Sequence, residues 1–203
     1  MKSVVWLFSG ILLGAAGGVA GMWSRPSPKE PHHEVRYHPE ELWLNESPET
    51  LLYPPGTTLE MIYPDEALCE AILAPESVRI HRRGGDESLK VESWAFASHG
   101  VEPDQENRER LLYALASLSA YEPPGKACSF DPGVLVRLTK NGRTHDLLFC
   151  FACLEMGKSA PSRGGGGGMS LQGARTYLKC FCEAFPDDAV LRQERERMER
   201  RGR

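Results

Sequence analysis

Alternating apolar and polar residues flank Asn141-Gly142, from Val134 to Phe151. That dipeptide signals a hairpin, because a type I′ turn needs positive φ at both central positions and Asn and Gly tolerate it best. A two-residue turn fixes the register. Val134 then faces Phe149, Val136 faces Leu147, and Leu138 faces His145. Side chains alternate across a strand. One face therefore carries Val134, Val136, Leu138, Leu147, Phe149 and Phe151 and reads as core. The other carries Leu135, Arg137, Thr139, Thr144, Asp146, Leu148 and Cys150 and reads as polar. Arg137 stands opposite Asp146, a cross-strand pair of opposite charge. A strand that stays extended past Cys150 sends Cys150 and Cys153 to opposite faces.

The same pattern places the other elements. Asp65 caps a short helix over 65–73, with Leu68, Ala71 and Ile72 as its apolar stripe. Ala74-Pro75 ends it, since a residue before proline avoids the helical region. Val78–Arg82 alternates as a strand, with His81 expected to face solvent. Gly84-Gly85-Asp86 turns the chain, and Val91–Ala97 returns, so 77–97 is predicted to be a second hairpin. Asp104 caps a helix over 105–120, with Leu111, Leu115 and Leu118 at helical spacing. Ser170 caps another over 171–185, striped by Leu171, Ala174, Leu178, Phe181 and Phe185. Cys182 borders that stripe and Cys180 falls opposite it. The predicted fold is two-layer α+β: an antiparallel four-stranded sheet of two hairpins, with helices packed on one face. An N-terminal hydrophobic helix precedes it.

Composition changes this picture mainly at the ends. With 203 residues, 41% hydrophobic and 26% charged, the chain suits one ordinary domain with flanking segments. A net charge of −4 gives no basic footprint for nucleic acid. Val4–Met22 carries no charge over 19 positions, which suits a membrane helix of about 20 residues. Small residues follow, from Gly14 to Gly21, and also suit a signal peptide cleaved after Ala20 or Gly21. Residues 1–23 are thus read as a signal-anchor or transmembrane helix, or as a cleaved signal. The membrane is the partner reached through residues 4–22. Residues 24–58, with seven prolines from Pro26 to Pro55, read as an extended, poorly ordered spacer. Its His32, His33 and His38 read as polar linker residues. The α+β domain then spans 59–188, with a flexible glycine-rich loop at 158–169, and a charged helical tail takes 189–203. The run Gly164–Gly168 lacks the lysine of a phosphate-binding loop and reads as linker.

The candidate chemistry lies in six cysteines: Cys69, Cys128, Cys150, Cys153, Cys180 and Cys182. An even number in an exported chain suggests one or two disulfides. Cys128 and Cys150 are the candidate pair, because Cys128 leads into the strand whose Gly133 faces Cys150. A zinc site would draw on Cys150, Cys153, Cys180 and Cys182. However, only one Cys-x₂-Cys is present, set among bulky apolar residues without the small turn residues of a zinc knuckle. A thiol-disulfide oxidoreductase would use Cys150 and Cys153, but needs them at a helix N-terminus, and Leu-Glu-Met-Gly-Lys follows instead. No Ser/His/Asp or paired-carboxylate arrangement stands out. Asp131, Asp146 and His145 are the other clustered polar groups, and Arg137 accounts for Asp146.

The stretches Ala127-Cys128-Ser129-Phe130-Asp131-Pro132-Gly133-Val134, Asp146–Cys153 and Ala184-Phe185-Pro186-Asp187-Asp188 carry a resemblance. Together they resemble a family of small uncharacterised bacterial proteins that are exported or membrane-anchored. The likeness covers residues 60–190. Its most specific parts are the Phe-Asp-Pro-Gly strand entry and the Cys-Phe-x-Cys strand. It implies an exported α+β domain, assigns no catalytic residue, and expects a third strand or ordered turn where this chain has pentaglycine. The reading reached is a non-enzymatic domain of the bacterial cell envelope, periplasmic or secreted, without cofactor. Its role is protein interaction or envelope structure, and its protein partner is unknown. The alternatives are cysteine-based zinc binding and thiol-disulfide exchange.

Overall fold

The computed structural model describes residues 58–84, 88–123, 129–158 and 166–201. The segment Val4–Met22, the spacer histidines, Cys128 and Gly164-Gly165 lie outside them. Among the described residues no helix is long and apolar enough to cross a membrane.

The central hairpin forms as the alternation requires. Strands β5 (Val134–Lys140) and β6 (Arg143–Cys150) pair antiparallel, with Val134 against Phe149, Val136 against Leu147 and Arg137 against Asp146. Asn141 and Gly142 have φ of 51° and 69°, the left-handed pair that a type I′ turn demands. The Asn141 N–H donates to Glu76 Oε1 at 2.9 Å, tying the turn to the start of β1 (Ser77–Arg82).

The sheet around this hairpin is larger than expected. It has six antiparallel strands in the order β1-β5-β6-β7-β8-β4, where β4 is Tyr121–Glu122, β7 is Glu155–Lys158 and β8 is Gly166–Met169. Two expectations are corrected here. First, the glycine-rich stretch is not all linker: Gly166, Gly167 and Gly168 form β8 against β7, with Gly167 facing Met156. The approach of β4 explains a glycine at 168, since a Cβ there would lie 2.7 Å from Glu122 Cγ and 2.9 Å from Glu122 O. Second, residues 77–97 are not one hairpin. β1 pairs with β5, whereas β2 (Leu89–Val91) and β3 (Trp94–Phe96) form their own two-stranded sheet.

The helices pack on one face. They are α1 (Leu59–Ile62), α2 (Glu66–Leu73), α3 (Gln105–Ala116), α4 (Leu171–Ala184) and α5 (Ala189–Arg200). Asp65, Asp104, Ser170 and Asp188 each accept an N–H from the residue three ahead, which satisfies an otherwise orphaned helix-terminal donor. α3 stops at Ala116, earlier than predicted, and a single 3₁₀ turn, Leu118–Ala120, carries the chain into β4. The core on this face joins Val134, Val136, Leu147, Phe149 and Phe151 to Leu111, Tyr177, Leu178 and Phe181. Phe149 sits at its centre, with ring centroids 5.0 Å from Tyr177 and 5.1 Å from Phe181.

Residues 189–200 are not a solvated tail. Leu191 and Met198 are buried against the core, and the backbone carbonyls of Met198 and Phe151 accept from Arg175 and Arg197. Arg192, Glu196, Glu199 and Arg200 face solvent, Glu194, Arg195 and Arg197 are half-buried, and the two buried residues dock the helix.

The opposite face of the sheet is covered as well. Leu135 and Leu148, expected on a polar face, are buried with Val91 and Phe96 in a second small core. Trp94 packs edge-on to Phe130 at 5.5 Å, and Phe130 lies over Gly157, where a Cβ would stand 3.1 Å from its ring. The β2–β3 hairpin is thus a partial third layer.

Candidate functional site

Chemistry-bearing side chains concentrate in two places: the cysteines at the end of β6, and a polar cluster on the hairpin-covered face.

β6 ends at Cys150, and residues 151–154 form a turn. Leu154 takes φ of 56°, a left-handed conformation uncommon for a bulky residue, and the chain reverses into β7. The expected extended path past Cys150 is therefore not followed. Cys150, on the hairpin-covered face opposite Glu155, is a buried free thiol. It does not form the expected pair with Cys128. Cys153 is the disulfide-bonded residue. Its sulfur lies 3.3 Å from Ser129 O, a close contact only, because a disulfide sulfur has no proton to donate. Cys69, Cys150, Cys180 and Cys182 are all free, so Cys128 is the one cysteine of six outside these five.

The remaining thiols are poor reagents. Cys180 points into the core, contrary to its expected outward position, and burial pushes its thiol up to about 12. Burial also raises Cys69 and Cys182. A thiol held above its ordinary range is protonated at neutral pH and neither attacks nor ligates readily. The four cysteines weighed for zinc are not brought together, and among the described residues no group of three or more His, Cys, Asp or Glu could hold a metal.

The polar cluster is built by β1, β5 and β6. Directly opposed residues of an antiparallel pair share a face, so Arg79 stands beside Arg137, and His81 beside Leu135. Arg137 binds Asp146 with both arms, Nε to Oδ1 and Nη2 to Oδ2, each at 2.7 Å. His81, expected in solvent, is only 2% exposed. The strip 97–101 covers it by running back along β1: Ile80 and Val101 exchange two backbone hydrogen bonds of 2.8 Å, and the Ala97 N–H donates to Arg82 O. Gly100 lies flat on the imidazole, and a Cβ there would be 2.6 Å from His81 Nε2. Sequence could have flagged this only through the alternation of β1, which puts His81 on the face of Leu135 and Leu148.

Other polar groups do structural work. Arg82 reaches from β1 to Asp188 at 2.6 Å, joining the sheet to the cap of α5. Burial opposes charge on Asp188, but Arg82 and the N–H of Leu191 outweigh it and hold the carboxyl below its usual range. Arg83 pairs with Asp131. In the main core Tyr63, Tyr121 and Tyr177 form a buried hydroxyl cluster, in which Tyr121 and Tyr177 donate to Leu115 O and Ala114 O at the end of α3. The Tyr121 hydroxyl thus serves a carbonyl that the helix C-terminus leaves open, and the Tyr177 hydroxyl adds to the Ser117 N–H at Ala114 O.

No protein-family model, curated protein or solved structure matches the chain.

Proposed function

We propose that this chain is a non-enzymatic domain working outside the cytoplasm. It is held at a bacterial membrane by residues 4–22 or released after signal cleavage, and it serves in protein interaction or envelope structure. The observation that carries the reading is the disulfide at Cys153, because structural disulfides persist in oxidising compartments. It agrees with the apolar segment and Pro-rich spacer that precede the domain, and with the resemblance to exported bacterial proteins. The polar side chains support a binding or structural role, because Arg137 and Asp146 in the cluster, and Arg82 and Asp188 outside it, are engaged in bonds that join elements.

The alternatives draw less support. Zinc binding would need Cys153 as a thiolate, and its sulfur is in a disulfide. Thiol exchange through Cys150 and Cys153 would need a helix N-terminus after the pair, and here a turn leads into β7. Thiol mapping on envelope-extracted protein, alkylated before and after reduction, tests the proposal. Cys153 is expected to label only after reduction. A Cys153 that labels at once in unreduced extracts would overturn the extracytoplasmic reading. Crosslinking in intact cells tests the role, with a specific adduct on the folded domain as the expected result.

A further inference from the structure

We infer that the β2–β3 hairpin is a cover latched onto the second sheet face by His81, and that the latch opens when this ring takes up a proton. The inference stands apart from the extracytoplasmic reading and holds in any compartment.

The geometry is specific. His81 Nδ1 lies 2.9 Å from Ala97 O. A carbonyl can only accept, so Nδ1 carries the ring proton and Nε2 is a bare lone pair. That nitrogen is buried and, among the described residues, has no hydrogen-bond partner. Gly100 packs over the face of the ring beside Cε1, Nε2 and Cδ2, and Nε2 itself is out of contact with solvent. Protonation at Nε2 would create an N–H with nothing to receive it. Among the described residues, the charged groups facing the ring are Arg137 from β5, Asp146 from β6 and Arg79 from its own strand. Both oxygens of Asp146 are already bound by Arg137, and Arg79 donates to Gly100 O. His99 in the strip, with Lys90 and Glu92 in the hairpin, is exposed.

An imidazolium here is desolvated and gains a second N–H without a partner in the closed arrangement, so the charged ring favours leaving. Its departure breaks the bond to Ala97 O, which holds the strip that continues directly from Phe96. The rest of the hairpin's hold is modest: the Ala97 N–H to Arg82 O, the Ile80–Val101 pair, and a small core of Val91, Phe96, Leu135 and Leu148 with Leu89, Trp94 and Phe130 packed against it.

The sign follows from the environment. Burial lowers the imidazole below its ordinary value, with Arg137 and Arg79 acting the same way and Ala97 O and Asp146 acting against. A ring freed from the strip titrates near 6.5. The closed state is therefore fully favoured above about pH 6.5 and loses up to about tenfold in closure equilibrium per pH unit below it, until the closed-state value is reached.

Hydrogen exchange and histidine NMR on the full-length protein at pH 7.5 and 5.0 test this. After correction for intrinsic rates, protection in 89–101 is expected to fall at least about fivefold more than in β5 and β6, in line with the linkage above. The His81 ring should titrate below the ordinary imidazole value of about 6.5. His81→Gln, which still donates to Ala97 O but does not titrate here, should abolish the differential loss. A His81 midpoint at or above about 6.5 overturns the inference, as does equal loss across β5 and β6, or a pH effect that survives in the variant. Should the variant not fold, the wild-type titration and exchange pattern decide.

Discussion

The two faces of the central sheet are built from alternate residues of the same two strands, yet they carry different layers. On the helix side, Phe149 meets Tyr177, Phe181 and Phe151 with centroids at 5.0, 5.1 and 6.4 Å, within a core fed by all the longer helices. On the hairpin side, Leu148 has one small core of four buried residues. Polar groups divide the same way: buried tyrosine hydroxyls close the end of α3 on one side, whereas an Arg–Asp pair and a buried histidine occupy the other. The helix face thus specifies the fold. The hairpin face carries the thinner layer, with a small core of its own.

The comparison breaks most directly at neighbouring positions. Phe149→Ala should cost about 3–5 kcal/mol, the range for emptying a packed aromatic site. Leu148→Ala, one residue away but under the thin layer, should fall near the bottom of the Leu→Ala range, at about 2 kcal/mol, because the hairpin can settle into the space. Urea unfolding of both variants measures the difference. Equal costs would mean that the two layers are equally committed and that the hairpin is no cover.

Glycines sharpen the contrast. Gly173, in the first turn of α4, has Ala120 backbone against it: a Cβ would lie 2.3 Å from Ala120 O and 2.8 Å from Ala120 Cα. Ala normally improves a helix by roughly 1 kcal/mol over Gly. Gly173→Ala should reverse that sign and destabilise by about 1–3 kcal/mol through overpacking against backbone. Gly157→Ala, on the hairpin face, meets only the Phe130 ring at 3.1 Å, a side chain that can turn away, and should stay within about 1 kcal/mol of wild type. Thermal denaturation of the pair reads this directly. A stabilising Gly173→Ala would show that α4 and the turn before β4 can part.

How far these features were legible in sequence follows from how local their causes are. The hairpin register came from Asn141-Gly142 and the alternation around it, and the helix starts came from Asp65, Asp104 and Ser170. All of these act within a few residues. The hairpin-side layer was not legible, because Leu135 and Leu148 are single apolar positions on a face of mixed polarity, and nothing local says that Val91 and Phe96 come to cover them. Val78–Arg82 was given the wrong partner for the same reason: its strand neighbour, β5, lies more than fifty residues on. The path past Cys150 departs from strand alternation because residues 151–154 turn the chain, so the face expected of Cys153 does not follow. His81 was missed as a buried group because its cover, the strip 97–101, shows no strand pattern. The position of Gly173 inside a helix was a usable hint, since a glycine tolerated there commonly marks a close backbone approach.

The smallest expected effect concerns the charged pair on the hairpin face. Arg137 and Asp146 meet in a two-pronged geometry with both bonds at 2.7 Å, and their side chains are 27% and 10% exposed. An exposed pair contributes about 0.2–1 kcal/mol, with ideal two-armed geometry at the upper end. A double-mutant cycle through Arg137→Ala, Asp146→Ala and the double variant should give a coupling of about 1 kcal/mol, reduced in high salt where exposed charges are screened. The cycle bears on the comparison because the same pair also faces His81. Removing Asp146 leaves the ring beside two guanidiniums alone, so Asp146→Ala should lower the His81 midpoint further. Removing Arg137 should raise it. A coupling below about 0.3 kcal/mol, or midpoints that do not move in these opposite directions, would show that the hairpin face is held by its apolar contacts alone and that its charges only decorate it.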